Sequence, residues 1–233
     1  MAPSESDEFF GQIYMNQEIN LLEKYPRSVR DVKQREYDKT EEDRRVARKF
    51  GKEFFDGDRR TGYGGFHYHP RFWEPVAPDF QAHYDLRSGD SLLDVGCAKG
   101  FMLYDFMRSV PGLIVAGLDI SEYAIEHAIE EVRPFCRLGD ARELPFKNNS
   151  YDVVVSVNTI HNLDRTDLIV ALKEIERVAS RGAFITVDAY RTDEEKEAMF
   201  AWNLTAKTIL HVDDWKDLFA EAGFNGDYYW FMP

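Results

Sequence analysis

The run Ser91-Leu-Leu-Asp-Val-Gly-Cys-Ala-Lys-Gly100 decides the fold. Its first half, Ser91 to Val95, is a short apolar stretch that stops at a glycine, which reads as a buried strand. Its second half is a turn in which Gly96 lets the backbone reverse sharply and Gly100 allows tight contact as a helix starts. Working outward, Leu113 to Leu118 is a second apolar run, Pro134 to Leu138 a weaker third, Tyr151 to Val157 a fourth and Gly182 to Asp188 a fifth. Strands this continuously apolar are covered on both faces, which means a parallel sheet between helices. The helices fall between them. Ser121 caps one carrying Ala124, Ile125, Ala128, Ile129 and Val132 on one face. Asp164 or Thr166 caps the next, with Leu168, Leu172, Ile175 and Val178 in phase, and Asp213 caps a late one with Trp215, Leu218, Phe219 and Ala222 before Gly223. Strand and helix alternating at this spacing predict an α/β, doubly wound, mostly parallel sheet of six or seven strands with helices on both faces.

Upstream the texture changes, and the reading divides the chain into residues 1–74 and 75–233. Residues 1–55 are polar and helix-like, a helical cap. Phe10, Ile13, Tyr14, Ile19, Leu21 and Leu22 make an imperfect amphipathic stripe between Phe9 and Tyr25. Val29 to Phe55 is crowded with charge and reads as a solvated helix with paired faces. Asp56 to Trp73 holds Gly57, Gly62, Gly64 and Gly65 among aromatic rings, which argues against helix and for a loop that folds over a ligand or plugs the core.

Composition limits the partners. Lys and Arg number 29 against 42 Asp and Glu, a net charge of −13, and 17 Phe, 12 Tyr and 4 Trp are too many rings for a disordered acidic chain. An acidic surface repels phosphate backbones, so no nucleic-acid partner is expected. Cys97 and Cys136 are too few for a disulfide scaffold and read as reduced thiols of a cytoplasmic protein. No stretch approaches the roughly 20 apolar residues of a membrane helix, and Met1 to Glu8 lacks the pattern of a secretory signal. His67 and His69 alone make no metal site, and none is expected.

In doubly wound folds ligands sit beyond the carboxyl ends of the strands. Asp94 stands just before the glycine turn. Asp119 follows the second strand, roughly 20 residues after Gly100, a spacing suited to gripping two ribose hydroxyls. Gly139-Asp140-Ala141 follows the third, where a carboxylate suits an exocyclic amino group. Asn158-Thr-Ile-His-Asn162 follows the fourth.

This ordered set resembles the class I S-adenosylmethionine-dependent methyltransferases, whose sheet is Rossmann-like. Asp94 to Gly100 looks like their first motif, Asp119 like their ribose acid and Asp140-Ala141 like their adenine-side pair. Tyr151 to Thr159 and Arg181 to Asp188 resemble their fourth and fifth strands. The resemblance spans roughly residues 75–225 and implies S-adenosyl-L-methionine as methyl donor, held by Asp94, Gly96, Cys97, Gly100, Asp119, Ile120, Asp140, Ala141 and Asn158. Tyr63 and Tyr68, on the glycine and aromatic strip, would cover the donor. The acceptor would be an O or N nucleophile of a small molecule, in a biosynthetic tailoring step. Arg59, Asn162, Asp188 and Tyr190 are its candidate contacts, and His161 is the candidate base, since an unperturbed imidazole pKa of about 6.5 suits proton removal near neutrality.

The sequence departs from that family in two places. Ala98 replaces the middle glycine, with Lys99 after it, and only Gly226 to Met232 is left for a terminal pair of strands. A nicotinamide dinucleotide fits less well, because Gly96-x-x-x-Gly100 lacks the usual G-x-G-x-x-G spacing. A non-catalytic donor-binding subunit and a protein methyltransferase stand as alternatives. The N-terminal helices serve either to cap the site or to pair two copies as a homodimer.

Overall fold

The structure is a computed structural model that describes residues 16–26 and 39–232. Seven strands form one sheet: β1 (Ser91–Val95), β2 (Ile114–Asp119), β3 (Cys136–Leu138), β4 (Tyr151–Val157), β5 (Ala179–Tyr190), β6 (Leu210–His211) and β7 (Asp227–Phe231). Their order is β3-β2-β1-β4-β5, and β5 then takes two partners, β7 along Phe184 to Asp188 and β6 at Ala189 and Tyr190. Every pairing is parallel. All carboxyl ends therefore lie along one edge, and the order reverses between β1 and β4, where such sheets open a ligand crevice.

The apolar runs are continuous because alternate residues enter two different cores. Leu92, Val153, Val155 and Phe184 pack with Phe80, Tyr84, Leu103 and Phe106 on one face. Leu93, Val95, Val154 and Ile185 pack with Leu172, Ile175, Trp215 and Phe219 on the other. The first face is covered by α3 (Ala77–Tyr84) and α4 (Phe101–Ser109), and the second by α6 (Arg165–Val178) and α8 (Val212–Ala222). Asp94 and Asp119 alternate in register with Leu92 and Val115, so both carboxylates fall on the α4 face of the sheet.

Two sequence expectations shift and one open choice is decided. The helix capped by Ser121, α5 (Glu122–Glu126), ends well short of Val132, and the chain continues through turns into a 3-10 turn at Arg133–Phe135. Ala128 and Val132 are buried all the same, so the apolar face persists through these turns. Asp164 caps α6, as one of two alternatives had it. For α8 the cap is His211 rather than Asp213, with Nδ1 of His211 accepting from the Asp213 N–H, while Gly223 closes the helix in the left-handed region at φ 69°.

At the sheet edge β7 is parallel to β5 and is followed by no returning strand among the described residues. Residues of the N-terminal segment line it instead: Tyr228 N donates to Gln17 O at 3.1 Å and Ile19 N to Tyr228 O at 3.0 Å. Residues 9–15 of the proposed amphipathic stripe lie outside the described residues, and the rest of it forms this bridge and a turn rather than a helix.

From Lys39 to Trp73 the chain runs as a strap over the carboxyl edge of the sheet. Residues 29–38 of the expected charged helix lie outside the described residues, and the rest forms two helices, α1 (Glu41–Ala47), with Arg44–Glu41 and Arg45–Glu42 pairs, and α2 (Lys52–Phe55), with a break at Phe50, φ 50°. The glycine strip then folds back on α2. A Cβ on Gly62 would sit 1.8 Å from Phe54 O, so only glycine fits. The remaining described helix, α7 (Asp193–Trp202), packs on β5.

Candidate functional site

The loop from Gly96 to Gly100 is built around backbone that most residues avoid. Gly96, Ala98 and Gly100 have φ of 92°, 48° and 75°. Ala98 adopts that conformation at a cost of roughly 1–2 kcal/mol, strain that such loops store at ligand sites. Gly96 is fixed by space as well, since a Cβ there would meet Thr159 Oγ1 at 2.1 Å. The turns after β1 and β4 thus touch at the crevice.

Asp119 closes the loop from the next strand. Its carboxylate accepts from Ala98 N and from Ser121 N, each at 2.8 Å. Asp119 is 8 % exposed and Asp94 5 %, and among the described residues neither has an ion-pair partner. Burial raises the Asp94 carboxyl well above the ordinary range, and the nearby Cys136 and Asp119 push the same way. Burial also raises Asp119, against the lowering effect of the backbone N–H groups. Two buried, like-charged acids without a cation are costly. That donor set fits a ligand carrying positive charge and vicinal hydroxyls, which is the chemistry of S-adenosylmethionine. Beside them Ile120 stands 56 % exposed, an apolar surface at the end of β2.

Asp140 lies beyond β3 and is gripped by Arg142, whose Nε and Nη2 reach its two oxygens at 3.0 and 2.6 Å. That ion pair holds the Asp140 carboxyl below its usual range. Arg142 also bonds Asp167, so it ties the turn after β3, Ala141 included, to α6. Asn158 is left-handed at φ 51°, and its Oδ1 accepts from Thr186 Oγ1 while its N–H donates back to the same oxygen, both at 2.9 Å. Asn162 donates to Thr159 O, and its Oδ1 is buried without a partner among the described residues. Tyr190 packs near Met199, Ala206 and Ile209 under α7.

His161 is 4 % exposed. Its Nδ1 accepts from the Asp188 N–H at 2.9 Å, and the Asp188 carboxylate stands farther off, at 3.4 Å. A nitrogen that accepts an amide proton carries none, so the neutral ring holds its proton on Nε2 and has no free lone pair to offer. Burial lowers the His161 pKa, with Asp188 and a hydrogen bond to the Asn158 backbone opposing. In this tautomer the ring joins the ends of β4 and β5 and offers no lone pair for the base role expected of it.

The strap residues Tyr63, Tyr68 and Arg59 have protein partners of their own. Tyr68 donates to Asp105 Oδ1 at 2.6 Å and packs on Phe101 and Tyr104 of α4. Burial, with the Asp105 bond, pushes its phenol up to about 12. Tyr63 sits among Phe54, Phe55 and Phe66, and Arg59 bonds the Tyr63 carbonyl. These contacts tie all three side chains to the strap and to α4. His69 accepts from the Arg71 N–H, and no cluster of three metal-ligating side chains occurs among the described residues. What the sequence reading missed is Asp56, which reaches Lys99 in the loop at 2.6 Å, and Arg142.

Residues 93–187 match the family model described as a methyltransferase domain. The chain is 32 % identical over 155 residues to a demethylmenaquinone methyltransferase of Symbiobacterium thermophilum, covering 61 % of this chain and 59 % of the relative. It is 29 % identical over 152 residues to a 27-O-demethylrifamycin SV methyltransferase of Amycolatopsis mediterranei, covering 59 % and 55 %. The chain therefore spans less than two thirds of the length of these curated relatives. Among solved structures, a phosphoethanolamine N-methyltransferase of Haemonchus contortus complexed with S-adenosylhomocysteine superimposes with a TM-score of 0.55 at 19 % identity, covering 76 % of this chain and 44 % of that one. The family match lies over the region that holds the glycine loop and the carboxylates, and residues 93–187 resemble a methyltransferase domain. The fold alone does not fix the reaction, since a [4+2]-cyclase, SpnF, superimposes with a TM-score of 0.52 at 20 % identity, covering 64 % of this chain and 56 % of that one.

Proposed function

We propose that the protein is an S-adenosylmethionine-dependent methyltransferase acting on an O or N nucleophile of a small molecule, in a biosynthetic tailoring step. The observation that carries the reading is the row of carboxylates on successive strand ends, Asp94, Asp119 and Asp140, around a strained glycine loop. The curated relatives act on small molecules, menaquinone and rifamycin precursors, which supports a small acceptor. A net charge of −13 disfavours nucleic acid, and no described helix is long and apolar enough to cross a membrane. The same reading divides the chain into a strap-bearing region 1–74 and a donor-binding domain 75–233, places it in the cytoplasm, and allows a homodimer.

When bound, the donor supplies an electrophilic methyl carbon. The chain's own residues do the rest. Asp119, with Ile120, would hold the ribose and adenine side, Asp94 and the Gly96, Cys97 and Gly100 backbone the charged end, and Asp140 and Ala141 the adenine edge. Asn158, Asn162, Asp188 and Tyr190 border the acceptor side. Alignment and water exclusion carry most of the rate here, because the donor is already activated. His161 fixes the Asn158 and Asp188 turns that frame this space. Its engaged ring favours an acceptor that reacts without a protein base, or, as a second reading, a donor-binding protein without transfer.

The test is label transfer from methyl-labelled S-adenosylmethionine to fractionated metabolite pools containing phenols, quinols and amines. Label moving to a small acceptor supports the proposal. Tight donor binding with no transfer to any fraction supports the second reading.

A further inference from the structure

Two carboxylates pull on adjacent residues of the glycine loop. Asp119 holds Ala98 through its N–H. Asp56, from the strap, holds Lys99 through its ammonium: Nζ to Oδ2 is 2.6 Å, and Nζ also donates to Phe66 O at 2.9 Å. The Asp56 carboxylate is itself saturated with donors. Tyr123 Oη reaches Oδ2 at 2.7 Å, and the Phe66 N–H reaches Oδ1 at 3.0 Å. The Lys99 and Asp56 side chains are 6 % and 18 % exposed, so the pair is withdrawn from water and screened little by salt. A pair of this kind adds little net stability, but breaking one partner strands the other charge, which makes it a strict determinant of geometry.

The contacts around it share one direction. Ser121 caps α5 and also donates to Phe50 O in the strap, and Ser121 N is one of the two donors on Asp119. Phe66 stacks on Phe101 at 4.8 Å, the first residue of α4 after the loop. The strap is therefore anchored on the same residues that hold the ribose-side carboxylate, one bond away from it.

Resting on the donor-binding reading, we propose that Lys99 and Asp56 are positioning residues that latch the strap to the donor loop, so that docking of residues 50–68 and binding of the donor stabilise one another. Lys99 acts through Asp56 on the strap and through its own backbone on Ala98, between two left-handed residues whose conformation the donor site requires. Linkage makes the effect reciprocal: a latched strap tightens donor binding, and the bound donor holds the strap down by the same factor.

The strap carries its own reporters, since Arg59 and Arg60 lie in it and are exposed to trypsin. The experiment compares the whole protein with Lys99→Met and Asp56→Asn, the second changing only the strap. Two readouts are taken, the Kd for S-adenosylhomocysteine by calorimetry and the rate of tryptic cleavage at Arg59 and Arg60 with and without it. Asp56→Glu serves as the conservative variant. We expect both charge-removing variants to bind at least tenfold more weakly and to be cut at least tenfold faster without ligand. The ligand is expected to slow cleavage of the parent by at least that factor, and Asp56→Glu to recover part of both effects. Parental Kd and parental cleavage rates in Asp56→Asn overturn the latch. A parent that binds no S-adenosylhomocysteine overturns the donor reading and the coupling with it, while the ligand-free cleavage rates still decide whether the pair fastens the strap.

Discussion

The backbone N–H of Asp188 donates to Nδ1 of His161 at 2.9 Å, across the gap between the ends of β5 and β4. The bond assigns the ring tautomer, and the tautomer argues against the ring as a base. Replacing His161 by Gln, whose amide oxygen can accept the same N–H, is expected to keep turnover within about tenfold of the parent. Loss of a true general base costs roughly 10²–10⁴-fold. A fall of that size in Gln, measured as kcat at saturating donor, contradicts the assignment.

The same ring makes stability depend on pH. Burial sets the folded pKa of His161 below the ordinary 6.5, so folding favours the neutral ring. That contribution is fully present above 6.5 and is lost as pH falls through the lowered folded value. Thermal melts at pH 7.5 and pH 5 are expected to show a larger loss for the parent than for His161→Gln. His161→Leu, which leaves the Asp188 N–H buried and unpaired, is expected to cost about 1–3 kcal/mol at pH 7.5 in denaturant unfolding.

Opposite outcomes are expected at two positions of the glycine loop. Gly96→Ala puts a Cβ 2.1 Å from Thr159 Oγ1 at a φ of 92°, and should cost on the order of 2–4 kcal/mol and abolish donor binding. Ala98→Gly relieves a left-handed alanine worth roughly 1–2 kcal/mol, offset by about 0.4–1 kcal/mol of unfolded-chain entropy. It should be neutral or slightly stabilising. Denaturant midpoints of the two variants check both, and a strongly destabilised Ala98→Gly contradicts the strain argument.

The two thiols should differ in reactivity. Hydrogen bonding to Cys136, with burial, raises Cys97, and the same bond lowers Cys136. Cys136 is also the more exposed of the two. Timed alkylation with iodoacetamide near pH 8, followed by peptide mass spectrometry, should label Cys136 first. Earlier labelling of Cys97 contradicts this order.

The sheet was legible because its signal is local. Five apolar runs marked β1 to β5 within a few residues, and Asp164 and Gly223 marked helix ends by side chain and by conformation. The row of carboxylates followed from parallel topology, which puts every strand end on one edge. What stayed hidden depends on long-range partners. Lys99 looked like a departure from a motif until Asp56 met it from the strap, and Tyr68 looked like a lid contact until Asp105 accepted its hydrogen bond. His161 sat in the right place for a base, and only the Asp188 amide, 27 positions away, decided its tautomer. The short β6 carried no pattern, because two residues cannot display alternation.

The central claim is that Asp94 and Asp119 form a buried anionic seat for an adenosyl ligand. Isothermal titration of the folded protein with S-adenosylhomocysteine, run in parallel on Asp119→Ala, tests it most directly. One ligand per chain is expected, with at least tenfold weaker binding in the variant. Equal affinities in the two proteins, or no heat of binding from a parent that melts cooperatively, contradict it.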